Sequence, residues 1–139
     1  MTKFKIILLA VFAGLGSLEA NLGEMSDRID DKYGNLVQRH LRDDGTVSVL
    51  YHKDQYLYLV TFANDRSISE SYSHMNGKDL SEKEIAKFLK GNAAGGTWIP
   101  VNTSKERRFE RSDNGAEATY GSTTGRRALT VQEVGRHGD

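Results

Sequence analysis

No cysteine occurs among the 139 residues. That excludes disulfides, thiolate metal sites, thiol nucleophiles and a lipid anchor on an N-terminal cysteine. Stability therefore has to come from apolar packing. Neither sign of charge is in excess, since 19 Lys and Arg balance 19 Asp and Glu. The overall charge argues for neither nucleic acid nor an anionic membrane surface as partner. After the first 15 residues no long apolar run remains, so nothing in the later sequence reads as a membrane span.

What is present begins with an address. Lys3 and Lys5 precede an apolar run over 6–15, and small residues lead to Ala20. This order reads as a secretory signal peptide over 1–20, with Gly16 as a second cleavage position and an uncleaved anchor as the alternative. The mature chain is then one domain over 21–139, exported to the periplasm or secreted. Removing Lys3, Lys5 and Glu19 leaves 17 basic and 18 acidic residues.

Leu22, Met25, Ile29 and Tyr33 recur at helical spacing, and Gly34 is a natural left-handed stop. Residues 46–74 are rich in β-branched and aromatic types, with turn signals at Asp54-Gln55 and Asn64-Asp65. They predict three antiparallel strands, near 46–53, 56–63 and 67–74. A two-residue first turn pairs Val47 with Phe62, Val49 with Val60 and Tyr51 with Tyr58. A three-residue second turn pairs Phe62 with Ile68 and Tyr58 with Tyr72. Ser67, Ser69, Ser71 and Ser73 then point away from the core, together with Leu50, Leu57 and Leu59. In "LSEKEIAKFLKG", Ser81 and Glu84 form a capping box, Leu80 and Ile85 staple it, and Ile85, Phe88 and Leu89 make the buried stripe. Asn114-Gly115 predicts a hairpin that sets Phe109 opposite Tyr120. "ALTVQEV" is a last strand. The expected fold is α+β, an antiparallel sheet with two helices in the order helix, three strands, helix, three strands.

"GNAAGGTW", over 91–98, is glycine-rich, as phosphate loops are. Phosphate loops open a helix, however, and present its N-terminal N–H groups to the anion. These glycines follow a helix, at the end where the dipole repels anions. They read as the exit from the second helix, with Trp98 anchored beneath it near Phe88 or Leu89. No cofactor is implied.

With these elements placed, the chain resembles a family of small exported bacterial proteins with no assigned activity. The resemblance lies in "LGEMSDRIDDKYG", "LSEKEIAKFLKGNAAGGTW" and "RFERSDNGAEATY" with "ALTV". It rests on Leu22, Gly23, Tyr33, Gly34, Leu80, Ser81, Glu84, Ile85, Asn92, Trp98, Arg111, Asp113, Gly115, Tyr120 and Leu129, with Gly95 or Gly96. Phe109 stands where a second tryptophan is usual, and Asn35-Leu36 where a proline often follows. The resemblance implies export and a compact fold, makes Tyr33, Gly34, Ser81, Glu84, Trp98 and Tyr120 structural, and carries over no catalytic residue.

Chemistry-bearing patterns are few. His40, His52, His74 and His137 make no metal-ligand spacing, and no nucleophile elbow for serine occurs. Glu70 falls on the face of its strand that carries Ile68 and Tyr72 inward. Buried there, a carboxyl would have a raised pKa and could act as a general acid; the alternative is a Glu near a sheet end or paired with a basic residue. Lys105, Arg107, Arg108, Arg111, Arg126, Arg127 and Arg136 concentrate late in the chain. Arg107, Arg108, Arg111, Arg126 and Arg127 are the candidate contact to an envelope protein or an anionic polymer. The expected function is a non-catalytic exported binding domain; the alternative is a small hydrolase using a carboxylate such as Glu70, which requires a pocket with two convergent acids.

The leader makes the first prediction. Protein recovered from the periplasm or the medium should have the intact mass of a chain beginning near Asn21. Retention of residues 1–15 in that material would refute cleavage.

Overall fold

The structure, a computed structural model, describes residues 22–101, 106–123 and 125–135. The leader over 1–20, Lys105, Arg136 and His137 lie outside the described residues. The chain order is α1 (Ser26–Tyr33), β1 (Leu36–Leu41), β2 (Val47–Lys53), β3 (Tyr56–Ala63), β4 (Arg66–His74), α2 (Glu82–Gly91), β5 (Trp98–Val101), β6 (Arg107–Arg111), β7 (Ala116–Thr123) and β8 (Arg126–Glu133). All eight strands form one antiparallel sheet in the order β1-β2-β3-β4-β8-β7-β6-β5. The expected helix, three strands, helix, three strands is therefore corrected. Each helix is followed by four strands, and sheet dominates the molecule.

The two additional strands have a common reason. All six residues of β1 are exposed, so no alternation of burial marks it; it exists by pairing with β2. The segment Trp98–Val101 reads as a crossover but pairs with β6 along its whole length. Both are edge strands, held by backbone pairing more than by a buried face.

The β2–β3 hairpin has the expected register: Val47 faces Phe62, Val49 faces Val60 and Tyr51 faces Tyr58. The next hairpin departs from it. Asn64 and Asp65 both take positive φ in a two-residue turn, and a bulge follows, so Phe62 faces Ser67 while Tyr58 still faces Tyr72. The bulge turns Ser67 inward, where it is fully buried; Ser73 is also buried. At the β6–β7 hairpin Phe109 faces Ala118, and Tyr120 faces Arg107. A four-residue connection over 112–115 replaces the two-residue turn, with Asp113 accepting from the Gly115 N–H at 2.8 Å. The slip is two residues, so Phe109 and Tyr120 keep their inward face.

Both helices lie on the same face of the sheet. α1 ends at Gly34, φ 75°, whose N–H bonds the Asp30 carbonyl. Its Tyr33 ring stacks on Tyr58 at 4.1 Å between centroids. α2 opens with the capping box: the Glu84 N–H donates to Ser81 Oγ at 3.1 Å and the Ser81 N–H to Glu84 Oε1 at 2.7 Å. Its Phe88 stacks on Tyr72 at 4.3 Å. Ile29, Tyr33, Ile85, Phe88 and Leu89 thereby close one core over β2, β3, β4, β8, β7 and β6.

The glycine-rich stretch leads from α2 into β5. A Cβ at Gly96 would lie 2.6 Å from Ser112 Oγ and would displace that hydroxyl from the Thr97 N–H it accepts at 3.1 Å. Trp98 is half-buried against the core, and its Nε1–H donates to the Leu89 carbonyl at 2.6 Å, a second bond to a helix-end carbonyl that also accepts the Asn92 N–H at 3.0 Å. Trp98→Ala should cost roughly 2–3 kcal/mol, below the roughly 3–5 typical of a fully buried tryptophan. Chemical denaturation measures it. An unchanged unfolding midpoint would show that the indole contributes nothing.

Candidate functional site

Register across the sheet explains where Glu70 sits. Val49, Val60, Glu70, Val131, Ala118 and Phe109 form one inward row from β2 to β6. A carboxyl thus occupies a central core position and is fully buried. Three hydroxyls donate to it: Ser67 Oγ to Oε2 at 2.9 Å, and Tyr72 and Tyr33 to Oε1 at 3.0 and 3.3 Å. Burial pushes its pKa up to about 8, against the lowering effect of Ser67, Tyr72 and Tyr33; the Glu24 carboxylate pushes in the same direction as burial. Glu24 is itself tied to Lys32 at 3.1 Å. At neutral pH Glu70 is therefore largely a protonated acid that can donate one hydrogen bond and accept others.

Asn92, immediately after α2, extends this network. Its Nδ2 donates to Tyr72 Oη at 2.9 Å and to the Phe88 carbonyl at 3.0 Å. Its Oδ1 accepts from the Leu22 N–H at 2.9 Å, and its carbonyl from Arg111 Nη1 at 2.9 Å. In the sequence Asn92 stands out only as part of the resembled segment that follows the second helix. No local signal marks it as a hub, because its partners lie 20 and 70 residues away.

A second polar cluster stands at the opposite end of α2. His74, nearly buried on β4, places Nε2 at 2.9 Å from Glu84 Oε2. The Tyr56 hydroxyl donates to the same carboxylate oxygen. Burial pushes the Glu84 carboxyl up, but the Ser81 N–H, Tyr56 and His74 outweigh it and bring it down to about 2. Beside this cluster opens a groove of about 780 Å³, lined among others by His74, Lys78, Leu80, Lys83, Glu84 and Lys87. Glu70 lines neither this groove nor the smaller cavities beside Asp43 and beside Thr130. Among the described residues no group of three or more His, Asp or Glu is arranged to hold a metal ion.

The five candidate arginines do not share one face. Pairing sets Arg107 in the row of Tyr120 and Leu129, on the helix-side face, with Arg111 and Arg127 on the same side by alternation. Arg108 and Arg126 fall on the other face. Arg107 binds Glu82 through two nitrogens, at 2.6 and 3.1 Å. Arg127 pairs with Asp79 at 3.1 Å and stands over the Tyr120 ring at 4.8 Å. Arg108 pairs with Glu117 at 2.9 Å. Arg111, largely buried, bonds Asp113 and the Asn92 carbonyl. Arg126 donates to the His74 and Met75 carbonyls. Arg111 and Arg126 therefore hold backbone, and Arg107 and Arg127 remain as exposed, carboxylate-paired guanidiniums. The Tyr120 hydroxyl between them accepts from the Leu80 N–H at 2.8 Å.

The raised Glu70 pKa has a definite sign in stability. Between about pH 4.5 and 8 the unfolded chain releases this proton while the folded chain keeps it, so stability falls as pH rises and levels off above 8. Glu70→Gln keeps an acceptor for Tyr33 and Tyr72, and its amide can donate to Ser67. It should gain stability relative to the parent on going from pH 5 to pH 9, on the order of a few kcal/mol. Denaturation midpoints across that range test it, and parallel pH curves for the two proteins would show that Glu70 ionises normally.

Neither a protein-family model nor a curated protein matches the sequence. Among solved structures, the chain is similar to a cysteine-rich secretory protein from Staphylococcus aureus subsp. aureus Mu50, with a TM-score of 0.47 and 11% identity. The likeness covers 81% of this chain and 43% of that one, so the chain spans less than half the neighbour's length. It is too slight to bear on function. Among the described residues, no helix is long and apolar enough to cross a membrane.

Proposed function

We propose that the protein is an exported, non-catalytic binding domain, periplasmic or secreted, whose partner is an envelope protein or an anionic polymer. The observation that carries this reading is the belt of basic side chains around the N-terminal end of α2. Lys78, Lys83 and Lys87 line the groove there. Arg107 and Arg127 stand beside it, paired with Glu82 and Asp79 while remaining about half exposed. Exposed pairs of this kind contribute about 0–1 kcal/mol. Carboxylates or phosphates of a partner can therefore replace Glu82 and Asp79 at little cost, and guanidiniums bind both groups with paired hydrogen bonds. Glu70, the acid on which a hydrolase reading depends, is sealed beneath both helices among its hydroxyl donors.

Arg107→Glu with Arg127→Glu should fold normally by circular dichroism and should lose partners captured from envelope extract. The parent's capture should weaken between low and high salt, because exposed charges are screened beyond about 8 Å at physiological ionic strength. A partner set indifferent to both changes would remove this belt as the contact. Glu70→Gln should bind as the parent does; hydrolysis of an envelope polymer by the parent but not by this variant would favour the enzyme instead.

A further inference from the structure

We infer that β1 is a docking edge for an extended segment of another protein, one that carries an acidic residue between two apolar residues on one face. The inference rests on the reading of the protein as a binding domain and adds a surface at the far side of the sheet from β5. It begins with two unlike edges. The β5 edge has only four residues and contains Pro100, the one proline of the chain. Proline offers no N–H to a further strand, and short proline-bearing edges are a common guard against strand addition. The β1 edge has six residues, no proline, and no buried position. Leu36, Val37 and Leu41 are 44%, 54% and 70% exposed. A bulge between Leu36 and Gln38 bends the start of the strand and leaves Gln38–Leu41 in regular register with β2. The outer side of such a strand presents peptide groups that an added strand completes.

The side chains define what would be added. Pairing sets Leu36, Arg39 and Leu41 beside Tyr51, Val49 and Val47, on the helix-side face, and Gln38 and His40 beside Leu50 and Ser48 on the other. The helix-side order along the edge is thus apolar, basic, apolar. Arg39 makes no hydrogen bond or ion pair among the described residues. Arg42, just past the strand, reaches only Ser48 Oγ, at 3.4 Å. A carboxylate opposite Arg39 supplies a countercharge, and apolar residues two positions to either side lie beside Leu41 and beside the Leu36–Val37 bulge. A second copy paired about Arg39 is disfavoured at this edge, because it sets the two Arg39 side chains opposite one another with no acidic residue in either strand, and opposed like charges destabilise a sheet.

The probe is a short synthetic peptide in which valine, threonine, glutamate, threonine and valine follow one another, with a twin carrying lysine in place of glutamate. Each is titrated into the isotope-labelled protein and followed by amide chemical shift and hydrogen exchange. The glutamate peptide should shift and protect amides over 37–41 and bind roughly tenfold tighter than its twin. Arg39→Glu, an exposed change, should reverse that order, whereas Arg107→Glu with Arg127→Glu should leave it intact. Equal binding of the twins, shifts centred outside β1, or a peptide-independent dimer protecting 37–41 would each overturn the inference. An envelope partner that is still captured by Arg39→Glu, together with peptides that fail to bind, would sink the edge while leaving the binding domain standing.

Discussion

One carboxyl kept out of water ties the elements of the core together. Glu70 stands where the neighbouring strands supply Val60 and Val131. An ionised carboxylate there, with no cation against it, would cost several kcal/mol. Its hydroxyl donors make the position tolerable, and each reaches it by a different structural device. Tyr33 arrives on α1, Ser67 is turned in by the β3–β4 bulge, and Tyr72 is two residues along the same strand. Asn92 then holds Tyr72 and binds the N-terminal segment at Leu22. An eight-residue helix such as α1 has little stability of its own. Here it is seated by the Tyr33 ring against Tyr58 and by the Tyr33 hydroxyl against Glu70. Removing the carboxyl would leave hydroxyls from two elements without their acceptor, which generally costs more than the net worth of the bonds themselves.

Features encoded within a few residues were legible in the sequence. The Ser81–Glu84 capping box, the Gly34 stop and the β2–β3 register all follow from short-range chemistry. The inward placement of Glu70 also follows, since alternation from Tyr72 demands it. Features that depend on distant pairing were not legible. Nothing in "LVQRHL" alternates in burial, so β1 is invisible without β2. The two-residue turn at Asn64-Asp65 was there to be read, but the bulge after it was not, and that bulge decides which serine meets the acid. Asn92 shows the same limit: its type suits a helix end, and its network is set by Tyr72 and Leu22.

The late arginines illustrate how a cluster in sequence disperses in a sheet. Adjacent residues on a strand project to opposite faces, so Arg107 parts from Arg108 and Arg126 from Arg127. Connections then assign roles. Arg111 lies where the end of α2 and the 112–115 loop meet, and it binds both. Arg126 opens β8 beside the end of β4 and takes the carbonyls of His74 and Met75. The pair flanking Tyr120 has more exposed partners than Arg108, whose Glu117 is largely covered, and that pair borders lysines contributed by a different part of the chain. The basic surface is therefore assembled from two regions, and charge density along the sequence locates only one of them.

The strand order explains why the molecule is two-sided at its edges but continuous at its centre. Each helix is followed by four strands laid side by side, and the two sets join where β4 meets β8 antiparallel. That junction brings both helices to one face, and there the tyrosines of the first set meet the aliphatic residues of the second: Tyr72 faces Leu129, and Glu70 faces Val131. A sheet built outward from such a junction necessarily ends in two edges, β1 and β5, one from each set. Their chemistry is not equivalent. Trp98 and Pro100 make β5 a strand that is fastened to α2 and poor in donors, while β1 keeps its amides and exposes leucine and arginine. Equivalent topology with unequal edges leaves one side of the sheet closed to growth and the other open, without any change in the core that both sides share.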